Sequence, residues 1–402
     1  MESHQHEMRG PMELPSGFQG FQHALYQSTC LRLEPGHRVA LVENGAIFDE
    51  VIEAIRRATG SIHILVFIWR PSEPSDRIVE ALCERARAGV ACRVIVDPVG
   101  SEEVRGEHDF NPKVEQRLRE GGVEVHYFRP LVGRWLGRLL GRTHHKLVIL
   151  DGKVGFTGGF GIWKSWQGEG DSPEEWRDTN VRVEGPTVRE MQLAFARAWQ
   201  ECGGALLPES CFPELEHEGD ASAAFVESTG GHGISDAERM LRMVFAAARR
   251  RLWIANAYFT PPKAILEQLL EKRKQGVDVR ILAAGPVHDW RIVRASQRAT
   301  YEELLVGGVR LWEYQPSMLH SKTVLVDDWL SVVGSTNLDA LSLHRMREGS
   351  LVAADRRLAS KLETCWERDL SHAKEMTLAD GGRTNPWRRF ARRVTQLLAV
   401  DR

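Results

Sequence analysis

The sequence predicts an α/β fold made of two homologous copies of one domain, and an internal repeat is the first observation behind it. Residues 121–130 (GGVEVHYFRP) return as residues 307–316 (GGVRLWEYQP), at an offset of 186. Two segments further upstream repeat at offsets of 187 and 190, so the offset drifts by only four residues. The second observation is that apolar runs of strand length alternate with amphipathic helices, which is typical of sheets buried between helices.

Each copy contains the same predicted elements in the same order. An amphipathic helix, over residues 46–57 in the first copy and 235–248 in the second, precedes an apolar strand. A second helix follows that strand, over residues 77–88 and 263–275. A Gly-Val turn then opens another strand, which is followed by a short helix and a third strand.

A segment rich in Glu, Pro and Gly separates the two copies and predicts their connection. The chain is thereby divided into five parts. They are a flexible N-terminal segment (1–37), a first domain (38–202), a linker (203–221), a second domain (222–374) and a basic amphipathic tail (375–402).

The composition excludes several classes of protein. The net charge of −2 gives no global basic field of the kind that a bulk nucleic-acid binder needs. Hydrophobic residues at 42% and charged residues at 27% are typical of a globular protein. The six cysteines form no CxxC pair, which favours reduced thiols in a cytoplasmic protein. There is no apolar signal segment and no apolar run of roughly 18 residues, so we expect any membrane contact to be peripheral.

Both copies carry the same chemically active residues after the repeated Pro. Lys follows His by two positions, Asp follows His by seven, and a Gly-Gly or Gly-Ser pair begins fourteen positions after His. The shared register makes His144, and not the adjacent His145, the counterpart of His320. The candidate residues are His144, Lys146, Asp151 and Gly159 in the first copy and His320, Lys322, Asp327, Ser335 and Asn337 in the second.

The spacing of each His and Lys places both side chains on one side of a strand, because residues i and i+2 project from the same face. The small residues that end the following strand would let backbone amides approach a ligand. Two imidazoles and two ammonium groups around one anion predict a phosphodiester site. The lysines would neutralise the non-bridging oxygens, while one imidazole attacks phosphorus and the other protonates the leaving alcohol.

The paired HxKxxxxD elements, each followed by Gly-Gly or Gly-Ser, resemble the phospholipase D superfamily. The order of segments is similar to that of the bacterial cardiolipin synthases that lack N-terminal transmembrane helices, over roughly residues 38–370. The resemblance implies two α/β/α domains with mixed β-sheets, related by a pseudo-twofold axis around one shared active site. It also implies phosphatidyl transfer from phosphatidylglycerol to a second phospholipid alcohol through a phosphatidyl-histidine intermediate, with neither cofactor nor metal.

The resemblance further implies one acidic residue that orients each histidine. Glu348 follows His320 by 28 positions, and Asp178 is its counterpart in the first copy. Such a carboxylate fixes the tautomer of the ring and stabilises the imidazolium. We expect Asp151 and Asp327, although they belong to the motif, to brace strand ends rather than to contact phosphorus.

The sequence departs from the pattern of this family at three positions. Gly161 stands where the family commonly has Asn, Asn180 where first copies often carry His, and Arg347 at a position that frequently bears an amide. The His, Lys and Asp sets are intact, so these departures bear on acceptor preference and rate. We choose His144 as the nucleophile and keep His320 as the alternative.

Two basic amphipathic segments, residues 131–142 and 386–399, predict contact with an anionic membrane surface. In both, apolar side chains lie opposite arginines, an arrangement that suits anionic lipid headgroups. The alternative is that each segment packs on its own protein. The candidate membrane contacts are Trp135, Leu136, Leu139, Trp387 and Phe390.

The leading hypothesis is a peripheral enzyme at the cytoplasmic face of the bacterial inner membrane. It makes cardiolipin from phosphatidylglycerol and an acceptor, which is a second phosphatidylglycerol, phosphatidylethanolamine or another alcohol. The alternative is a phospholipase or nuclease of the same superfamily, for which water is the acceptor. The near-neutral charge and the Trp-containing segments favour lipid, and we expect no nucleic-acid partner. The intact catalytic sets disfavour a third hypothesis, a non-enzymatic lipid scaffold.

Overall fold

The computed structural model describes residues 17–101, 112–129, 141–230 and 233–381. The first half contains, in chain order, α1 (Phe18–Thr29), β1 (Glu34–Glu43), α2 (Ala46–Arg57), β2 (Ser61–Val66), α3 (Glu73–Arg87), β3 (Ala91–Val96), α4 (Pro98–Ser101), α5 (Pro112–Glu120), β4 (Glu124–Tyr127), β5 (Lys146–Leu150), β6 (Val154–Gly158), β7 (Trp176–Arg177), β8 (Thr179–Glu184) and α6 (Val188–Glu201). The second half contains β9 (Ala221–Ser228), α7 (Asp236–Ala247), β10 (Arg251–Asn256), α8 (Lys263–Lys274), β11 (Asp278–Ala284), α9 (Arg291–Val306), β12 (Arg310–Tyr314), β13 (Met318–Leu319), β14 (Lys322–Val326), β15 (Leu330–Gly334), α10 (Ala340–Arg345), β16 (Glu348–Ala354), α11 (Arg356–Ser371), β17 (Ala373–Glu375) and α12 (Leu378–Gly381).

Seven strands of each half lie in the same spatial order. The first half has the order β4-β3-β2-β5-β6-β8-β1, and the second has β12-β11-β10-β14-β15-β16-β9. The first three strands of each series, which lie farthest from β1 and β9, pair parallel, as β2 does with β3, and the remaining pairs are antiparallel, as in β2 with β5. The predicted mixed α/β fold in two homologous halves is therefore confirmed.

The two halves share one continuous sheet, whereas the sequence suggested separate ones. Strands β1 and β9 pair antiparallel and join the two series, and β17 adds a strand outside β12, which gives 15 strands in all. The pseudo-twofold relation therefore runs between β1 and β9. Residues 202–220, between the halves, are irregular apart from a three-residue helical turn at Glu209–Cys211. The domain boundaries at 202 and 222 stay predictions.

The helices cover the sheet with the apolar faces that the periodicity predicted. In α2, which spans the predicted residues 46–57, the buried side chains are Ile47, Phe48, Val51, Ile52 and Ile55. Helix α7 begins one residue later than predicted, because Ser235 is its N-cap and its hydroxyl accepts from the Glu238 N–H. Helix α3 begins a turn earlier than predicted, with Pro74 in its first turn, a position where proline is tolerated.

The expectation that residues 1–37 form a flexible segment is wrong for residues 18–33. These residues form α1 and the approach to β1, and α1 packs against α7 of the second half. Phe21, Leu25 and Leu33 are buried in the core of that half, and Phe21 makes an edge contact with Trp329. Burial of these apolar side chains stabilises the helix in place.

A two-stranded sheet crosses between the halves. Strand β7 of the first half pairs parallel with β13 of the second, so that Arg177 lies opposite Leu319. On the other side of the pseudo-twofold relation, Thr143 forms an isolated parallel bridge with Arg347. These two crossings bring the segment before each candidate histidine against the opposite half. Within the described residues, none of the helices is both long and apolar enough to span a bilayer.

Candidate active site

Each candidate histidine lies immediately before a central strand and is held by the opposite half. His144 precedes β5 and its backbone N–H donates to the Arg347 carbonyl at 2.8 Å. His320 precedes β14 and its N–H donates to the Arg177 carbonyl, also at 2.8 Å. These two hydrogen bonds occupy equivalent positions in the two copies of the repeat. They place each histidine next to the residue that follows the arginine, which is Glu348 in one case and Asp178 in the other.

The acids bind the histidines across the two halves. His144 Nδ1 lies 3.0 and 3.1 Å from the two carboxylate oxygens of Glu348. His320 Nδ1 lies 2.9 Å from Asp178 Oδ2. In a neutral ring, an Nδ1–H that donates to the carboxylate leaves the Nε2 lone pair free. Both acids were candidates from the sequence, but nothing in the spacing indicated that each serves the histidine of the other copy.

Each acid is anchored by further hydrogen bonds from its own half. The hydroxyls of Ser335 and Ser342 donate to Glu348, each at 2.5 Å. The Trp166 indole N–H donates to Asp178 Oδ2 at 2.8 Å. Burial alone would raise the pKa of each acid, but the hydrogen bonds and charges of the paired histidine and the nearby lysines lower it, so both are ionised.

Gly159 and Ser335 serve the acids, and their amides are not left free for a ligand as the sequence suggested. A Cβ on Gly159 would lie 2.4 Å from Asp178 Oδ1, so only glycine fits beside that carboxylate. The Gly159 N–H donates to Asn180 Oδ1 at 3.1 Å, and the Ser335 N–H donates to the Gly349 carbonyl at 2.9 Å. The small residues are therefore needed to make room for the acid and, in Ser335, to bind it.

The two lysines lie in the same buried cluster as the histidines. Lys146 Nζ donates to the His144 carbonyl at 2.6 Å, and Lys322 Nζ donates to the His320 carbonyl. Burial lowers the pKa of Lys322 to about 8 and that of Lys146 well below its ordinary value, and the charges of Asp178 and Glu348 act in the opposite direction on both. Because each lysine also lowers the pKa of the histidine from the other half, the four basic groups form one electrostatic unit.

Burial sets the resting charge of the histidines. It lowers the pKa of His144 to about 4, against the opposing charge of Glu348. It lowers the pKa of His320 to about 4 as well, assisted by the charge of Lys322. Both rings are therefore neutral at pH 7, and a neutral imidazole is the form that can attack an electrophile.

Asp151 and Asp327 do not lie with the rest of their motifs. They follow β5 and β14 at the ends remote from the histidines. The Asp151 carboxylate accepts from the backbone N–H groups of residues 59–61 at 2.7–3.2 Å. The Asp327 carboxylate accepts from those of residues 249–251 at 2.8–3.4 Å. Their inclusion among the catalytic candidates is corrected: each fastens the turn that leads into a central strand.

Asn337 and the three positions that depart from the family's pattern lie around the cluster. The Asn337 N–H donates to the Ser342 hydroxyl at 2.9 Å, and its side-chain oxygen is buried without a partner among the described residues. A Cβ on Gly161 would lie 2.8 Å from the Trp166 ring, so this tryptophan fills the space that a larger residue would need. Arg347 donates to Glu201 at 2.5 Å.

The side chains that line the two histidines differ, and sequence reasoning missed them. Phe67 makes an edge contact with His144, with ring centroids 5.1 Å apart. His320 is enclosed by Trp166 at 5.2 Å, Trp176 at 4.9 Å and Tyr258 at 6.3 Å. These aromatic residues sit at strand ends and in loops, where their sequence pattern is the same as that of core residues.

The remaining candidates lie beyond what the structure describes. Trp135, Leu136, Leu139, Trp387 and Phe390 all fall outside the described residues. Within the described ranges, no three His, Cys, Asp or Glu side chains are grouped so that they could hold a metal ion. The lysines are the positive groups that the described part of the site offers to a phosphate.

The chain matches a known family over both halves. The family described as "Cardiolipin synthase, PLD-like domain" matches residues 51–199 and 241–370. Cardiolipin synthase A of Pseudomonas aeruginosa (strain LESB58) is 34% identical over 390 residues, covering 95% of this chain and 75% of that protein. Cardiolipin synthase A of Pseudomonas putida (strain F1) is 33% identical over 370 residues, covering 90% and 74%. The crystal structure of phosphatidylserine synthase from Haemophilus influenzae Rd KW20 shares the fold, with a TM-score of 0.70 at 14% identity over 96% of this chain and 98% of that one.

Proposed function

This chain belongs to the cardiolipin synthase family of phospholipase D-like proteins, as its sequence predicted, and we propose that it makes cardiolipin. In this proposal a phosphatidyl group passes from phosphatidylglycerol to the hydroxyl of a second phospholipid. The observation that carries the proposal is the pair of buried imidazoles, each bonded through Nδ1 to an acid of the opposite half. Two lysines in the same cluster supply positive charge for the phosphodiester.

In the first half-reaction, His144 Nε2 attacks phosphorus and forms a P–N bond. The bond from phosphorus to the glycerol oxygen breaks, and His320 gives the departing oxygen its proton. His320 must therefore be protonated before this step, although burial lowers its pKa to about 4 in the free site. The negative charge of the bound phosphodiester favours the imidazolium form, and Asp178 stabilises it. Glu348 does the same for His144 as its ring acquires positive charge.

In the second half-reaction, the hydroxyl oxygen of the acceptor attacks phosphorus. The P–N bond breaks, its electron pair returns to His144 Nε2, and the hydroxyl proton passes to His320. The site is then as it was at the start. No cofactor takes part in this scheme, because Lys146 and Lys322 neutralise the non-bridging oxygens.

The direct test uses labelled phosphatidylglycerol in anionic liposomes, with products resolved by mass. We expect His144→Ala and His320→Ala to lower cardiolipin formation at least roughly 10³-fold. The matched control is His145→Gln, because His145 is adjacent to His144 but bonds through Nδ1 to Thr143 at 3.0 Å. Peptide mass spectrometry after a rapid quench should place the phosphatidyl adduct on residue 144. Full cardiolipin production by either alanine variant would refute the mechanism.

The same assay separates the alternative function. A phospholipase would release phosphatidic acid as its main product, because water would accept the phosphatidyl group. A nuclease would cleave DNA in the absence of lipid. We expect cardiolipin as the main product and no cleavage of DNA.

The proposal includes a peripheral position at the cytoplasmic face of the bacterial inner membrane, where phosphatidylglycerol and a second lipid are both present. The basic segments 131–142 and 386–399 would contact the anionic surface through Trp135, Leu136, Leu139, Trp387 and Phe390. Arg142, at the end of the first segment, takes no part in this contact, because it is buried in an ion pair with Asp97. Replacement of Trp135 and Trp387 by Ala should weaken binding to phosphatidylglycerol vesicles in a flotation assay. Unchanged flotation of the double variant would mean that these segments pack on the protein.

A further inference from the structure

A group of three polar side chains in mutual contact lies beside His320, and the reaction scheme does not use it. Tyr258 follows β10, and its ring centroid lies 6.3 Å from that of His320. The Tyr258 hydroxyl donates to Asp289 Oδ2 at 2.5 Å, and Asp289 Oδ1 lies 3.2 Å from His288 Nδ1. The His288 and Tyr258 rings are 5.6 Å apart. We call Tyr258, His288 and Asp289 the Tyr258 cluster.

His288 carries a polar atom that nothing in the described structure uses. His288 Nδ1 has two neighbours, the backbone N–H of Trp290 at 3.0 Å and Asp289 Oδ1 at 3.2 Å. The Nε2 atom of His288 is buried and has no hydrogen-bond partner among the described residues, and the side chain is 1% exposed. Buried polar atoms are almost always paired in folded proteins, so an unpaired one indicates a place for a polar ligand.

Asp289 is one of four carboxylates whose charges act on Lys322, with Asp178, Glu348 and Asp339. Asp178 and Glu348 bind the catalytic histidines, and Asp339 caps α10, where it accepts from the Ser342 N–H at 2.8 Å. Among the described residues, the Asp289 side chain contacts only Tyr258 and His288. A carboxylate repels phosphate oxygens and accepts hydrogen bonds from hydroxyls. The Asp289 side chain is 25% exposed, so it is accessible to a ligand.

We propose that the Tyr258 cluster is a subsite for the hydroxyls of a glyceryl headgroup, an inference that rests on the proposed phosphatidyl transfer. Asp289 accepts from the headgroup hydroxyls, and His288 Nε2 forms a hydrogen bond with one of them, since a hydroxyl can both donate and accept. The leaving glycerol and the entering headgroup occupy this subsite in turn, because each exchanges its proton with His320. In the repeat, Ile68 stands at the position of Tyr258, so the first copy lacks that phenol beside His144. The subsite therefore assigns the alcohol to the side of His320 and the nucleophile to His144.

The test measures how the phosphatidyl-enzyme divides between two alcohols. Vesicles of phosphatidylglycerol are incubated with equal concentrations of ¹³C-glycerol and 1-propanol, and the two lipid products are compared by mass spectrometry. Both products come from one intermediate, so a general loss of activity leaves their ratio unchanged. We expect Asp289→Asn to lower the glycerol-to-propanol ratio about tenfold, since charge-assisted hydrogen bonds are the strong ones. Tyr258→Phe should lower it by less, because the carboxylate remains.

The matched control is Asp328→Asn, which removes a half-exposed carboxylate at the end of β14 remote from the histidines and should leave the ratio unchanged. An unchanged ratio in Asp289→Asn overturns the subsite. So does a preference of the wild-type protein for ethanolamine over glycerol, which would make Asp289 an ammonium site.

A binding measurement separates this inference from the proposed function. In the His144→Ala background, which cannot form the intermediate, glycerophosphoglycerol binding is followed by ligand-observed NMR. We expect the additional Asp289→Asn substitution to weaken binding about tenfold. That result, together with no transfer by the wild-type protein, would refute the proposed function and leave the subsite standing. Equal binding by both variants would overturn the subsite while cardiolipin formation is unaffected.

Discussion

The two half-sites present the same reactive groups on different supports. Glu348 is held by the hydroxyls of two serines, whereas Asp178 is held by a tryptophan indole. The arginine before each acid differs even more. Arg177 is buried between Glu43 at 3.0 Å and Asp369 at 2.8 Å, while Arg347 pairs with the half-exposed Glu201. The reaction therefore constrains the positions of the His, Lys and acidic side chains, whereas the residues that hold them in place differ between the two copies.

The segments before the histidines repeat this contrast. Arg142 forms a buried ion pair with Asp97 at 3.0 Å, and Asp97 also accepts from the Thr143 N–H, next to His144. The second copy has Met318 and Leu319 there, paired with β7 as a strand. Both segments therefore pair with the opposite half, but the one before His144 is also held by an ion pair inside its own half.

The largest effect on stability should come from Arg177, the arginine that precedes Asp178. We expect Arg177→Met to lower the free energy of unfolding by about 3–5 kcal/mol, because it removes the cation that binds the buried Asp369, whereas Glu43 keeps its ion pair with Arg368. Arg347→Met, the matched variant, should cost about 1 kcal/mol or less, since its partner Glu201 is 39% exposed. Urea denaturation followed by circular dichroism measures both. Equal losses would show that the two supports do not differ as described.

The next effect concerns the acids, which distinguish the roles of the two histidines. Asp178→Asn and Glu348→Gln should each lower kcat roughly 10²–10⁴-fold, because an amide does not stabilise the imidazolium. With His144 as nucleophile, Glu348→Gln slows formation of the phosphatidyl adduct. Asp178→Asn slows both the formation and the breakdown of the adduct, because His320 takes part in both steps. The adduct should therefore persist on His144 in a single turnover.

The control for this pair is Glu238→Gln, because Glu238 binds His344 at 2.8 Å in a His–acid pair outside the cluster. It should leave kcat within a factor of about two. If the adduct persists in Glu348→Gln and not in Asp178→Asn, the roles of the two histidines are exchanged.

The sequence specified the reactive groups better than their surroundings. The register of the repeat chose His144 over His145, and the resemblance to the family paired Asp178 with Glu348, because the chemistry allows little variation at those positions. It did not show that each acid serves the opposite histidine, since that depends on how β1 and β9 join the halves. The docking of α1 on α7 was missed because Phe21 and Leu25 are few apolar anchors in a polar helix. The Tyr258 cluster was missed because its members lie on separate elements.

The smallest effect is a difference between the lysines in the pH dependence of kcat/KM. Lys322, with a pKa of about 8, loses its charge as the pH rises through that value. Only the protonated form attracts the phosphodiester strongly, so kcat/KM should fall up to about tenfold per pH unit above 8. Lys322→Arg keeps its charge at these pH values and should abolish this decline, whereas Lys146→Arg should retain it. Steady-state rates from pH 7 to 10 at constant ionic strength decide the point. A decline that survives in Lys322→Arg and disappears in Lys146→Arg would assign the titrating lysine to the first half-site instead.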